Sequence, residues 1–138
     1  MVDQIFAATR YGLEYERLRL EAASHNIAVA NTPNDTAQPA RLMRVSTTFL
    51  PHVGTSASLM AGHFPRPVMV DAEAAERKVH DPSDPAADQN GMVSYPKVDL
   101  VQEMSSLLDA SRAYEANVRA FNTLRGMALH ALDLGGGA

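Results

Sequence analysis

Side chains able to bind metal ions or transfer protons are scattered along this 138-residue chain. A metal site or an acid–base pair needs at least two such groups held together, and a short regular spacing is its usual sign. The histidines form no HxH or HExxH motif, and cysteine is absent. They stand far apart, at His25, His52, His63, His80 and His130. We therefore expect solvated or interface histidines, no metal site and no cofactor.

Three carboxylates fall close together at Asp81, Asp84 and Asp88, where a calcium loop could be considered. Their spacing does not match such a loop, and Pro82 and Pro85 interrupt it, so turn-forming residues are the better interpretation. The chain also lacks a P-loop, a GxGxxG motif and a nucleophile elbow. The sequence therefore predicts that the protein is not an enzyme.

Asparagine is the polar residue whose placement is most informative. Asn26 and Asn31 fall at the end of the first helical segment, and Asn117 and Asn122 lie inside the last one. Asparagine is a mediocre helix former, but inside a helical interface it can fix the register by demanding a hydrogen-bond partner. The alternatives are an ordinary exposed side chain or, for Asn31, a helix end. The sequence leaves both interpretations open for Asn117 and Asn122.

Two long helical segments would position these residues. Over residues 3–30, apolar side chains recur in alternating steps of four and three, the seam of a helix packed lengthwise on another. Thr32 and Pro33 end that helix. The second runs over about 99–132, with Asp99 and Gln102 forming a capping box at its start. It is apolar on more than one face, so a single partner helix cannot cover it.

The stretch between the helices reads as strands and turns. Alternating apolar residues over 43–49 predict a half-buried strand, and 68–70 predict a short one. Asn90 and Gly91 form a tight-turn dipeptide ahead of a third strand over 92–95. Residues 51–67 are rich in Pro, Gly, Ser and Thr and predict a loop. Residues 71–78 fit a helical turn or a strand equally well.

The predicted fold class is therefore α+β: two long terminal helices, packed as an antiparallel or coiled-coil pair, with a small β-rich middle region. The divisions are an N-terminal helix (1–32), a middle region (33–98), a C-terminal helix (99–134) and a flexible tail (135–138). The residues expected to form helix packing or subunit interfaces are Phe6, Leu13, Leu20, Asn26, Ile27, Asn31, Leu100, Met104, Leu107, Tyr114, Asn117, Val118, Phe121 and Asn122.

Composition excludes several partners. The net charge is −4, and its even spread leaves no basic stripe for nucleic acid. No apolar run approaches the length needed to span a membrane, so membrane insertion is not expected. The N-terminus lacks the basic start and apolar run of a secretory signal. Any export from the cytosol would then use a route without a cleaved signal peptide.

Three stretches together resemble the flagellar basal-body rod family, most closely its FlgC-type proximal rod branch. Residues 22–32 are similar to the N-terminal rod signature AASNIANANT, and residues 81–96 to the DPxxPxADxNGYV stretch. Residues 98–123 are similar to the long motif VDLVxEMxxxxxASRxYxANVxxxNT. The order of the motifs and the chain length also fit. Residues 36–78 depart from the family pattern.

The resemblance implies a structural subunit that self-associates and joins other rod subunits in the basal body. Such proteins are exported unfolded by the flagellar type III apparatus and assemble in the periplasm into a helical tube. Their terminal helices pack as a coiled coil, and the middle region faces outward. The alternative is a coiled-coil adaptor of a secretion-related assembly outside the flagellum.

Overall fold

A computed structural model describes residues 2–34, 40–47 and 66–135. Two long helices enclose four short strands in chain order, which confirms the predicted α+β class. The elements are α1 (Val2–Val29), β1 (Leu42–Thr47), β2 (Pro67–Ala72), β3 (Glu76–His80), β4 (Met92–Pro96) and α2 (Leu100–Gly135).

The end of α1 and the start of α2 lie where the local sequence predicts them. After Val29, Thr32 donates its backbone N–H to the Val29 carbonyl at 3.0 Å, and Pro33 follows. At the start of α2, the Asp99 side chain accepts the backbone N–H of Gln102 at 3.1 Å, as predicted for the cap. The α2 helix continues through Gly135, one residue beyond the predicted boundary.

The strands form two separate antiparallel pairs. In β1–β2, Val45 lies opposite Met69, and in β3–β4, Val79 lies opposite Val93. Residues 71–78 contain the end of β2 and the start of β3, which resolves the ambiguity in favour of strands. The strand predicted over 43–49 is observed as β1. Its predicted end at 48–49 and most of the predicted 51–67 loop lie outside the described residues.

The turn before β4 contains the predicted Asn90–Gly91 dipeptide. Gly91 adopts a positive φ of 71°, a conformation that glycine adopts readily and most other residues adopt rarely. Asp88 stabilises the same turn, because its Oδ1 accepts the backbone N–H groups of Asn90 and Met92 at 2.8 and 2.9 Å. The strand β4 then begins at Met92.

The core is small and built mainly from short side chains. Among the described residues, the buried hydrophobic side chains are Ala22, Ala23, Ala30, Leu42, Val93 and Ala110. Four of these six are alanine, so the helices and strands approach closely but bury little apolar area per residue. Helix α1 supplies Ala22 and Ala23, Ala30 follows directly after it, and α1 packs against both α2 and β1. The larger apolar side chains of the described residues are mostly half-buried or exposed.

Candidate assembly surface

Contacts along the helix pair show that α1 and α2 run antiparallel. Near the start of α1, Phe6 meets Phe121 late in α2, with ring centroids 5.5 Å apart and an interplanar angle of 72°. Halfway along, Gly12 meets Asn117. Such edge-to-face aromatic pairs contribute about 0.5–1.5 kcal/mol beyond the burial of their area.

The contact between Gly12 and Asn117 depends on the missing side chain of glycine. A Cβ atom at Gly12 would lie 3.0 Å from Asn117 Nδ2 and 3.3 Å from its Cγ. Glycine therefore leaves the space that the carboxamide occupies. The structure places Asn117 half-buried between the helices, whereas Asn122 is exposed. Of the two interpretations left open by the sequence, Asn117 fits packing against a helix and Asn122 fits ordinary exposure.

Asn26 finds its hydrogen-bond partners within the same chain. Its side chain is almost fully buried, with 2% exposure. Asn26 Nδ2 donates to the Met43 carbonyl at 3.0 Å, and the Met43 backbone N–H donates to Asn26 Oδ1 at 2.7 Å. One residue earlier, His25 Nε2 lies 3.1 Å from the Arg41 carbonyl. These contacts attach the edge of β1 that does not pair with β2, its outer edge, to the end of α1.

The outer edge of β1 can be identified from these bonds. Met43 directs both backbone groups at α1, and backbone groups alternate sides along a strand. Arg41 and Val45 therefore face the same way as Met43, while Leu42 and Arg44 pair with β2. The carboxamide of Asn26 thus takes the place that a neighbouring strand would occupy beside Met43.

The other predicted interface residues divide by exposure. Six are half-buried along the helix pair: Leu13, Leu20, Ile27, Leu107, Tyr114 and Val118. Asn31 is exposed just after α1. Leu100 and Met104 are 36% and 52% exposed, so these two side chains are only partly covered by the chain itself. Ile27 also lies at the end of α1 that contacts the strands.

Helix α2 leaves apolar side chains uncovered at both of its ends. We define the N-terminal patch as Leu100, Val101, Met104 and Leu108, which are 36–80% exposed. We define the C-terminal patch as Met127, Leu129, Leu132 and Leu134, which are 53–88% exposed and divide between two sides of the helix, Met127 and Leu134 on one and Leu129 and Leu132 on the other. This agrees with the expectation that one partner helix cannot cover α2. The sequence analysis did not single out Val101, although its spacing of three from Met104 and seven from Leu108 was the available signal.

Asp81 and Asp88 lie in the turn region between β3 and β4 and accept hydrogen bonds there. Hydrogen bonds from Ser83 hold the pKa of Asp81 below its ordinary value, and those from the backbone of Met92 and Asn90 do the same for Asp88. These bonds stay within the turn, as expected for turn-forming residues. In the described part of the chain, no group of three or more acidic or histidine side chains is arranged to hold a metal ion.

One further cluster was missed from the sequence. The rings of Tyr11 and Tyr15 stack one helical turn apart, with centroids separated by 6.3 Å, and Arg19 lies over Tyr15 at 5.9 Å. Burial, followed by the neighbouring Tyr15, raises the pKa of Tyr11. The spacing of four residues was its available signal.

Within the described ranges, neither helix is long and apolar enough to cross a membrane.

The chain thus has an antiparallel pair of terminal helices, and α2 carries exposed apolar side chains at both of its ends. A family model described as the flagellar basal body rod FlgEFG protein C-terminal region matches residues 89–134. This range covers β4 and nearly all of α2. This match indicates the class of protein, a flagellar rod component.

Whole-chain relatives give a narrower assignment. The chain is 33% identical over 132 residues to the flagellar basal-body rod protein FlgC of Salmonella typhimurium, covering 95% of this chain and 96% of that protein. It is 34% identical over 140 residues to FlgC of Agrobacterium fabrum, with 96% of each chain covered. FlgC of Bacillus subtilis is 47% identical over 57 residues, 41% of this chain and 38% of that protein. The chain belongs to the FlgC family of flagellar basal-body rod proteins and is a structural component of the bacterial flagellum.

Proposed function

We propose that this chain polymerises, with copies of itself and with other rod subunits, into a helical tube whose inner part is built from α1 and α2. The four strands would form the outward-facing part of each subunit. The chain would reach the periplasm through the flagellar type III export apparatus, without a cleaved signal peptide. Family membership supports the setting, and the uncovered ends of α2 support the mode of assembly.

The single observation that carries the mode of assembly is the exposure of large apolar side chains on α2. Val101 is 80% exposed and Leu132 is 70% exposed on a helix whose middle is packed against α1. Burying one large apolar side chain fully contributes about 1.5–3 kcal/mol. Several such residues per subunit would supply a substantial association energy, part of which ordering of side chains offsets.

Assembly can be tested at Val101 without disturbing the fold, because this side chain is mostly exposed. We expect Val101→Asp to abolish rod formation and swimming when it replaces the native copy. Ala116→Asp is the matched control, since Ala116 is also exposed on α2 but lies between the two patches. Circular dichroism should show equal helix content for both variants. A Val101→Asp strain that swims as well as the control strain contradicts the proposed surface.

Two half-buried positions test the helix pair itself. Leu107→Asp and Val118→Asp place a charge at half-buried positions on the side of α2 that carries Ala110, Asn117 and Phe121. We expect loss of assembly with expression retained, because an unpaired carboxylate is costly in an apolar contact. Normal swimming by the Leu107→Asp strain would show that this seam is not needed.

The proposed export route can be tested separately from the assembly surface. The chain recovered from the periplasm should carry an unprocessed N-terminus by mass spectrometry. It should be missing from the periplasm of a strain whose flagellar export apparatus is inactive. A shortened N-terminus, or normal transport in the inactive strain, contradicts this part of the proposal and leaves the assembly surface unaffected.

A further inference from the structure

The turn between β3 and β4 contains an exposed asparagine followed by the residue that most favours its chemical modification. Asn90 is exposed, and Gly91 comes directly after it. Elsewhere in the chain, asparagine is followed by Ile, Thr, Asp or Val, whose side chains hinder the backbone nitrogen that precedes them. Glycine has no side chain to do so. Asn90 is therefore the asparagine whose carboxamide carbon the next backbone nitrogen can reach with the least hindrance.

Ring closure at such a pair is a balanced reaction that consumes only water. The backbone nitrogen of Gly91 gives up its proton and attacks Asn90 Cγ. The new N–C bond closes a five-membered succinimide, and the side-chain nitrogen leaves as ammonia with that proton. Water then opens the ring at one of its two carbonyl carbons. One opening gives aspartate, and the other gives isoaspartate, in which the main chain runs through the former side chain.

The folded turn opposes the first step of this reaction. The Gly91 N–H donates to the Asp88 carbonyl at 2.9 Å and closes a four-residue turn. Asp88 Oδ1 accepts the N–H groups on either side, those of Asn90 and Met92, at 2.8 and 2.9 Å. Loss of the Gly91 proton would therefore place a negative charge close to a carboxylate. Nearby like charge disfavours that ionisation.

Gly91 is also confined by its neighbours. A Cβ atom at this position would lie 3.1 Å from Pro82 Cγ and 3.2 Å from His80 Cε1. Gly91 therefore has little room to shift toward the Asn90 side chain while the turn is closed. Ring closure requires the turn to open, and exposed turns open locally at a lower free energy than the whole chain unfolds.

We propose that Asn90 is a site of self-modification through a succinimide, suppressed by the closed turn, and that its isoaspartate product prevents the turn from closing again. Isoaspartate adds one backbone atom between the nitrogens of residues 90 and 91. Asp88 binds both of these N–H groups and that of Met92, so the lengthened chain cannot present all three to it. A chain that reacts while the turn is open thus loses the contacts that lead into β4. This inference goes beyond the proposed function and does not depend on assembly.

Mass spectrometry of peptides from the full chain measures the reaction, because exchange of the side-chain NH₂ for OH changes the mass. Chromatography separates isoaspartate from aspartate. The native chain is incubated in mildly alkaline buffer, with and without enough urea to unfold it. In urea, we expect modification to be concentrated at Asn90, with isoaspartate among the products. In buffer, the same reaction should be slower by roughly tenfold or more, because hydrogen bonds to Asp88 must first break.

Two variants separate the chemistry from the turn. Asn90→Gln keeps an amide one methylene further out, so a five-membered ring cannot form and little modification is expected even in urea. Asp88→Ala keeps the Asn90–Gly91 pair but removes the side-chain hydrogen bonds to Asn90 and Met92. In buffer, its rate should lie between those of the folded and unfolded native chain, and in urea it should match the native rate. In the purified isoaspartate chain, the Met92 amide should lose its protection from hydrogen exchange.

The following results would overturn the inference. Asn90 is not a preferred site if it reacts in urea no faster than the other asparagines. The turn does not suppress the reaction if the folded and unfolded native chains react at the same rate, or if Asp88→Ala reacts in buffer as slowly as the native chain. An isoaspartate chain whose Met92 amide stays protected contradicts the proposed consequence. Rod assembly is tested separately by Val101→Asp and is unaffected by these outcomes.

Discussion

Replacing Asn26 by alanine tests how the strands are attached to the helices. The change removes both hydrogen bonds to Met43, at 2.7 and 3.0 Å, and leaves the Met43 N–H and carbonyl without those partners. An unsatisfied buried polar group costs about 1–3 kcal/mol. Met43 is half-buried, so water can partly replace the lost bonds and the lower end applies to each group. We expect a loss of about 2 kcal/mol in the free energy of unfolding.

Urea denaturation measures that loss, and hydrogen exchange locates it. Because the Met43 amide donates to a side chain of α1, its protection should fall sharply in Asn26→Ala. Amides within β1 that face β2 should be less affected. Asn26→Asp keeps an acceptor for the Met43 N–H but sets a buried carboxylate oxygen against the Met43 carbonyl, so we expect it to lose stability as well.

Asn31→Ala is the matched control, because Asn31 is an exposed asparagine near the same helix end. Exposed substitutions of this kind usually change stability by less than about 0.5 kcal/mol. The reasoning is refuted if Asn26→Ala is as stable as Asn31→Ala and the Met43 amide keeps its protection. Asn26 would then have to act elsewhere, for instance between subunits.

Three further predictions concern the helix pair, its cap and the turn. Gly12→Leu should destabilise the chain by about 1–3 kcal/mol, because the new side chain overlaps Asn117, and Asn117→Ala in the same chain should recover part of the loss in a double-mutant cycle. Asp99→Ala should cost about 1 kcal/mol by removing the cap of α2, measured by urea denaturation. The carboxyl of Asp88 should titrate by NMR below its ordinary value of 3.8. Because folding lowers the pKa of Asp88, this carboxyl stabilises the folded chain above pH 3.8, and that stabilisation is lost as the pH falls through the lower pKa of the folded state. Asp88→Asn should remove this part of the acid dependence.

The helices were predictable because their signals are local and strong. Heptad spacing gave α1 and α2, and the Asp99 cap fixed the start of the second within one residue. The turn before β4 was equally readable, since Asn90 and Gly91 have the backbone preferences that the turn requires. Residues 71–78 were ambiguous because charged and small side chains there satisfy neither a helix nor a strand period clearly. Pairing with β1 and β4 decides their conformation.

The role of Asn26 could not be read from the sequence. A polar residue near a helix end can bind a neighbouring helix, a strand of its own chain, a second subunit or water, and the choice depends on contacts 17 residues apart in sequence. Gly12 presents the same difficulty. A small residue predicts a close approach, but its partner Asn117 is identified only once the direction and register of the two helices are known.

The distribution of apolar residues follows from where their burial can occur. A chain that folds alone would place its large apolar side chains in its own core, yet the buried residues here are mostly alanine. The most exposed ones lie on α2, which packs against α1 and whose start is capped by Asp99. A helix that is already formed loses little backbone freedom when it binds, so more of the burial energy remains available for association. We expect the same arrangement to make an isolated subunit prone to self-association.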